Sequence, residues 1–155
     1  MGREPFKNLI VNGIILAEDG SKMSKSKHNY PDPMYVFNQF GADACRLYLC
    51  NSPVVRAEEL KFAEAGVKNI VREVFLPLFN SYRFLIQNTN RWEKAMNKNF
   101  MYNPKMKYDL EKDENANIMD RWIIAANQSL IKFVRNEMDN YRLYNVVKHI
   151  LSFFE

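Results

Sequence analysis

The spacing of apolar residues changes once along the chain. Up to residue 17 they form two short runs separated by Asn12-Gly13, a pair that favours a tight hairpin turn because both positions accept positive φ angles. From Glu58 onward they recur at steps of three and four, which is typical of amphipathic helices. The sequence therefore predicts a β-hairpin over residues 6–17 and a mostly α-helical remainder.

Two short helices are predicted between these regions. Asp32 can cap a helix that opens on Pro33, and Gly41 follows Phe40 where a helix end accepts left-handed geometry. A second helix is expected over residues 43–51, because Pro53 cannot continue it.

The C-terminal half is predicted to hold three longer helices. The first begins at Glu58-Glu59 and runs to about residue 87, with a kink near Glu73 because Pro77 removes one hydrogen bond and collides with that carbonyl. Residues 88–116 are polar and indicate a long connection. Further helices are expected from Asn117 or Asp120 and from about residue 140.

Composition limits the classes of protein that fit. The chain has 155 residues, 47% of them hydrophobic, which suits one domain, or a small domain joined to part of another, and argues against intrinsic disorder. The net charge of +4 permits an acidic partner, and no apolar run approaches membrane-spanning length. Cys45 and Cys50 are five residues apart in a predicted helix, which excludes a local disulfide and favours a reduced, cytoplasmic protein.

The stretch from Gly20 to His28 carries the candidate chemistry. It places three lysines within six residues, separates them with two serines, and follows a glycine turn, so its cations are expected on an exposed loop that binds an anion. The P-loop pattern of nucleotide-binding proteins is absent. Each nearby carboxylate is explained by a turn or a helix start, namely Asp19, Asp32, Asp43, Glu58 and Glu59, so no acid–base pair and no metal site is predicted.

These residues resemble a known family. Residues 22–26, Lys-Met-Ser-Lys-Ser, match the signature of class I aminoacyl-tRNA synthetases without a break, and the flanks at residues 8–13 and 28–33 resemble the isoleucyl enzymes of the eukaryotic cytoplasm. The resemblance continues through residues 46–58, 82–87 and 120–122 and is weakest over residues 91–116.

The resemblance implies a fold and a domain division. Residues 1–57 would be the C-terminal end of a Rossmann-like catalytic domain, including the lysine loop and helices that contact the tRNA stem. Residues 58–155 would be the first helices of an α-helical, anticodon-binding bundle, truncated at the end of the chain. The family's His-Ile-Gly-His signature is absent, so the chain is expected to be a fragment that is inactive without the remainder of the same polypeptide.

The resemblance also implies a reaction and site residues. Isoleucine–tRNA ligases activate isoleucine with ATP and Mg²⁺ and transfer it to tRNA(Ile). Lys25 is expected to contact the departing phosphates and Lys22 to assist it as a second catalytic lysine. Ser24 and Ser26 would hold the loop over ATP, while Met23 anchors it, so the expected ATP-binding residues are 22–26.

Two alternatives to this function remain open at this point. The chain could be a non-enzymatic helical module that binds RNA or protein, with the lysines supplying only charge attraction. It could also be a leucyl or valyl enzyme, since these share the lysine signature. Trp122 with Arg121 suggests RNA stacking, but its place in the apolar stripe of its helix favours core packing instead.

Overall fold

A computed structural model describes residues 4–101 and 117–154. Within these ranges the protein is mostly helical, with one small sheet of two parallel strands. The strands are β1 (Ile15–Leu16) and β2 (Leu60–Lys61); the helices are α1 (Pro33–Phe40), α2 (Ala42–Cys50), α3 (Glu64–Ile70), α4 (Leu76–Met96), α5 (Ile118–Asp139) and α6 (Leu143–Phe154). Short 3-10 turns span Lys25–Lys27 and Pro53–Arg56, and a π-helical segment spans Val71–Phe75.

The signals for α1 and α2 are confirmed. The Oδ1 atom of Asp32 accepts a hydrogen bond from the backbone N–H of Met34 at 2.9 Å, and Pro33 occupies the first helical position. Gly41 has φ 88°, a conformation that a glycine adopts easily, and its N–H closes α1 on the carbonyl of Phe37. This glycine also starts α2, so the two helices meet at an abrupt corner.

The predicted hairpin over residues 6–17 is wrong. Residues 6–14 form no strand, neither Asn12 nor Gly13 has a positive φ, and β1 pairs in parallel with the distant β2, with Ile15 opposite Leu60. The N–H of Gly13 instead donates to the carbonyl of Val54 at 2.7 Å. A Cβ at Gly13 would collide with the carbonyl oxygen of Glu58, so the glycine permits a close approach of two backbones.

The long helix predicted from Glu58 is interrupted. Glu58 and Glu59 precede β2 and do not start a helix, which begins only at Glu64. The distortion expected from Pro77 is present as the π-helical segment, where the N–H of Leu76 donates to the carbonyl of Val71 five residues back. A wider turn of this kind accommodates the missing donor and the bulk of the proline ring without ending the helix.

The polar connection predicted for residues 88–116 is shorter than expected. Residues 88–96 belong to α4, which ends at Met96 and is followed by the C-cap Asn97 with φ 49°. Residues 102–116 lie outside the described residues. Of the two predicted starts for α5, Asn117 is correct. Its Oδ1 accepts from the N–H groups of Met119 and Asp120, while the Asp120 carboxylate accepts from the N–H of Asn117, which completes a capping box.

The core lies between α1, α2, α3 and the π-helical segment. Val67 is fully buried and Val36 is nearly so, and the remaining buried members of the cluster are Ala44, Cys45, Ile70 and Val74. Helix α6 packs on α2 and on the turn Pro53–Arg56, with Leu151 reaching the edge of the core. The lysine loop therefore leads into α1, which is part of this core.

A buried carboxylate joins α5 to α6. Glu137 is 5% exposed, and its Oε1 accepts from the guanidinium of Arg142 at 2.8 Å while its Oε2 accepts from the side chain of Asn145 at 2.7 Å. Because a buried charge is costly without partners, this pairing fixes the direction in which α6 leaves α5.

Two expectations about single residues have opposite outcomes. Cys45 and Cys50 are both free, as predicted, and burial raises the pKa of the Cys45 thiol. Trp122 is 58% exposed and does not pack in the core, because no described element covers that part of α5.

No helix in the described ranges is long and apolar enough to span a membrane.

Candidate functional site: the lysine loop

A tight reversal after β1 starts the loop. The N–H of Gly20 donates to the carbonyl of Ala17, the N–H of Ala17 donates to the carbonyl of Ser21, and Leu16 pairs antiparallel with Lys22. Gly20 has φ 84°. The chain therefore turns back here, after Glu18-Asp19, and not at Asn12-Gly13.

Asp19 stabilises this reversal, as the sequence predicted for a turn carboxylate. Its Oδ1 accepts from the backbone N–H of Ser21 at 2.8 Å. Hydrogen bonding by Ser21, first through its side chain and then through its backbone, lowers the pKa of Asp19, and the positive charge of Lys27 lowers it further. Asp19 is thus ionised and structural at neutral pH.

Lys25 and Lys22 occupy different parts of the loop. Lys25 begins the 3-10 turn Lys25–Lys27, which follows Ser24 and ends at His28 in a left-handed conformation with φ 47°. Lys22 lies on the arm that pairs with β1. Both side chains are exposed, so their ammonium groups are free to meet a ligand from solvent.

The two predicted serines form a pair. The Oγ atoms of Ser24 and Ser26 lie 2.8 Å apart, which is a hydrogen bond across the start of the turn. Because of this bond, the Ser24 side chain does not cap its own turn. This bond links Ser24 to Ser26 across Lys25, whereas Lys22 lies on the neighbouring arm.

Opposite sides of the loop face different surroundings. Lys25 and His28 line an open groove of about 550 Å³ together with Tyr30, Asp32 and Pro33. Met23 is half-buried and points into an apolar cavity of about 180 Å³, whose other lining residues include Ile15, Val36, Cys45 and Phe62. A long, flexible thioether in such a cavity is suited to anchor the loop, and this role of Met23 stays a prediction.

Sequence reasoning missed two residues beside the loop. Asn29 hydrogen bonds to three loop residues, and its position directly after a polar turn, where asparagine often bonds nearby backbone, was the available signal. Lys61 on β2 lies against the turn, with its Nζ 3.3 Å from the point where a Cβ on Gly20 would be. Only the β1–β2 pairing brings it there, and no local pattern predicts that pairing.

This arrangement is suited to bind an extended polyanion. One side of the loop offers the exposed ammonium groups, the serine hydroxyls and the open groove. On the other side, Met23 lines the apolar cavity. No cluster of three His, Cys, Asp or Glu residues that could hold a metal ion occurs in the described ranges.

Comparison with known proteins identifies relatives of this chain. Residues 1–61 match the family model described as tRNA synthetases class I (I, L, M and V). The chain is 57% identical over 153 residues to the probable cytoplasmic isoleucine–tRNA ligase of Dictyostelium discoideum and 53% identical over 153 residues to the cytoplasmic isoleucine–tRNA ligase of Caenorhabditis elegans. These alignments cover 99% of this chain but 14% and 13% of those proteins, so the chain spans about one-seventh of their length.

A solved structure shares the fold. The structure resembles, with a TM-score of 0.64 and 22% identity, the LeuRS chain of a ternary LeuRS–tRNA–LeuAMS complex from Agrobacterium radiobacter K84, over 92% of this chain and 17% of that one. At this identity the likeness concerns the fold alone. Residues 1–61 thus match the class I tRNA synthetase model, and 99% of the chain aligns with a section of these two isoleucine–tRNA ligases.

Proposed function

We propose that this chain supplies the phosphate-binding loop and adjoining helices of a cytoplasmic isoleucine–tRNA ligase. The observation that carries the proposal is the unbroken Lys-Met-Ser-Lys-Ser sequence at residues 22–26, in an exposed loop where Lys25 lines an open groove. The relatives' names favour this function over a non-enzymatic helical module and over a leucyl or valyl enzyme.

The reaction begins with activation of the amino acid. The carboxylate of isoleucine attacks the α-phosphorus of ATP, the bond to the bridging oxygen of the β-phosphate breaks, and pyrophosphate departs from the isoleucyl-adenylate. A ribose hydroxyl of tRNA(Ile) then attacks the acyl carbon and releases AMP. Mg²⁺ enters as part of the ATP substrate and neutralises its phosphate oxygens.

The lysine loop acts on the first step. Negative charge grows on the β- and γ-phosphates as pyrophosphate departs, and a preorganised ammonium group stabilises that charge more in the transition state than in bound ATP. Two features support Lys25 for this contact: it begins the 3-10 turn Lys25–Lys27, and it lines the groove. Lys22 contributes a second cation from the arm beside it, and Ser24 and Ser26 hold the turn over the nucleotide.

The remainder of the chain has a different role in this proposal. Residues 1–57 belong to the catalytic domain, a Rossmann-like fold that needs further strands, and residues 58–155 open the anticodon-binding bundle. Strand pairing between β1 and β2 and packing of α6 on α2 connect these two parts. Activation and transfer require the sections of the relatives that this chain does not match, including the isoleucine pocket.

Substitution of Lys25 tests the proposal. In a ligase polypeptide that contains residues 1–155, Lys25→Ala should lower isoleucine-dependent exchange of pyrophosphate into ATP about 100- to 1,000-fold, the loss typical of one transition-state donor. Lys68→Ala removes an equally exposed lysine from α3 and should leave exchange unchanged. Exchange by Lys25→Ala within twofold of the parent would overturn the role of Lys25, and exchange driven only by another amino acid would overturn the specificity.

A further inference from the structure

The side chain of Asn29 makes all three of its polar contacts to the lysine loop. Its Oδ1 accepts from the backbone N–H of Ser24 at 2.9 Å, and its Nδ2 donates to Ser21 Oγ at 2.8 Å and to the carbonyl of Lys22 at 3.1 Å. A carboxamide has two N–H donors, and both are used here. Asn29 therefore has its donor capacity fully committed to one short segment.

These partners lie on both arms of the loop. Ser21 and Lys22 belong to the arm that leaves β1, whereas Ser24 immediately precedes the 3-10 turn that carries Lys25. The left-handed conformation of His28 turns the chain so that Asn29 faces back into the loop. One half-buried side chain thus links the arm, the turn and the start of the return segment.

The other contacts of the loop do not make this link. The Leu16–Lys22 pairing fixes the first arm only, and both the Ser24–Ser26 bond and the 3.2 Å bond from Lys27 N to Ser24 O lie within the turn. Among the described residues, Asn29 is the side chain that bonds to both parts. Without it, the turn could change its angle relative to the arm, and Lys25 would lose its fixed relation to the groove.

We propose that Asn29 is a positioning residue for adenylation, which holds the loop so that Lys25 meets the departing phosphates. This inference rests on the proposed function. A lysine side chain loses considerable rotamer freedom when it is held in one place, so a loop that already fixes its backbone leaves less to order in the transition state. The effect of Asn29 is therefore exerted through Lys25.

A double-mutant cycle in the polypeptide that contains residues 1–155 tests this dependence. Asn29→Ala should lower the rate constant of isoleucine-dependent pyrophosphate exchange about 10- to 100-fold, the scale expected when a reacting group is misplaced. In the Lys25→Ala background the same change should cost less than about twofold, because the group that it positions is gone. The KM for isoleucine should stay unchanged in all variants.

Conservative and control variants sharpen the assignment. Asn29→Asp keeps the acceptor for Ser24 but loses both donors, so its rate should lie between those of the parent and of Asn29→Ala. Asn38→Ala removes an exposed asparagine of α1 that makes no side-chain hydrogen bond in the described part of the chain, and its rate should equal that of the parent. Circular dichroism and thermal unfolding should show all variants folded.

The outcomes separate this inference from the proposed function. If Lys25→Ala retains full exchange, the proposed function fails first. If Lys25→Ala is impaired while Asn29→Ala stays within twofold of the parent, or if the two losses multiply, the function stands and the positioning role is wrong. If Asn29→Ala does not fold, Ser21→Ala takes its place in the same double-mutant cycle, because it removes one acceptor of Asn29 Nδ2. The expected loss in exchange rate is then smaller, and the same outcomes decide the positioning role.

Discussion

Two parts of the molecule contain amphipathic helices but bury the apolar side chains of these helices to different extents. The compact part, residues 13–75 with α6, contains Val36, Val67 and nearly every other buried residue. The long helices α4 and α5 bury only Glu137 within the described ranges, and many of their large apolar side chains are exposed, among them Phe79, Tyr82, Phe84 and Trp122. Periodicity thus predicts that a helix forms, whereas burial depends on which elements are present to cover it.

The largest effect expected from this difference is on stability. Ile70→Ala removes a side chain that is 8% exposed in the core, and it should lower the free energy of unfolding by about 2–5 kcal/mol. Ile86→Ala makes the same change in α4 where the side chain is 40% exposed, and it should cost about 1 kcal/mol or less. Urea unfolding of both variants measures the contrast. Equal costs would mean that the exposed face of α4 is covered in solution.

The features that the sequence predicted well are those set by neighbouring residues. The caps at Asp32, Gly41 and Asn117 were predicted because a cap bonds to a backbone group two to four positions away. Pro77 likewise predicted the distortion that appears as the π-helical segment. Where these local rules apply, no knowledge of tertiary structure is needed.

The hairpin prediction failed because the turn it assumed depends on distant residues. Asn12-Gly13 has the composition of a hairpin turn, yet Gly13 is used for contact with Val54 and Glu58, more than forty positions away. At the site, the lysines and serines could be identified from the sequence. The contacts of Asn29 with the loop and the position of Lys61 beside Gly20 depend on loop closure and strand pairing, which sequence spacing does not encode.

A second prediction tests how closely backbones pack in the compact part. Gly13→Ala places a methyl group against the carbonyl of Glu58, so the backbones must separate, and the free energy of unfolding should fall by about 1–3 kcal/mol. Hydrogen exchange at Leu60, whose N–H donates to the carbonyl of Ile14 at 3.0 Å, should become faster as the β1–β2 pairing loosens.

Gly41→Ala is the matched control for this change. Nothing lies within 4 Å of a Cβ at Gly41, so its cost should come only from the positive φ of 88°, about 1–2 kcal/mol. Exchange at Leu60 should not change in this variant. If both variants had the same effect on Leu60, the close approach at Gly13 would not be what holds the sheet together.

The smallest expected effect concerns pH and is confined to the turn that starts the lysine loop. Because Ser21 lowers the pKa of Asp19 in the folded protein, the ionised carboxylate is favoured by folding, and its stabilisation is fully present above the ordinary pKa of 3.8. That stabilisation is lost as the pH falls from there through the lowered pKa. Asp19 is fully exposed, so solvent screening keeps the effect local, unlike the core substitutions.

Amide exchange at Ser21 reports this loss directly, since its N–H is the donor to Asp19. Protection of that amide, corrected for the intrinsic pH dependence of exchange, should decline on acidification below about pH 4, the ordinary range of an aspartate. In Asp19→Asn, which cannot ionise, the same window should show no change. A carboxyl resonance of Asp19 that titrates at or above 3.8 would contradict the argument, because Ser21 would then not favour the ionised form in the folded loop.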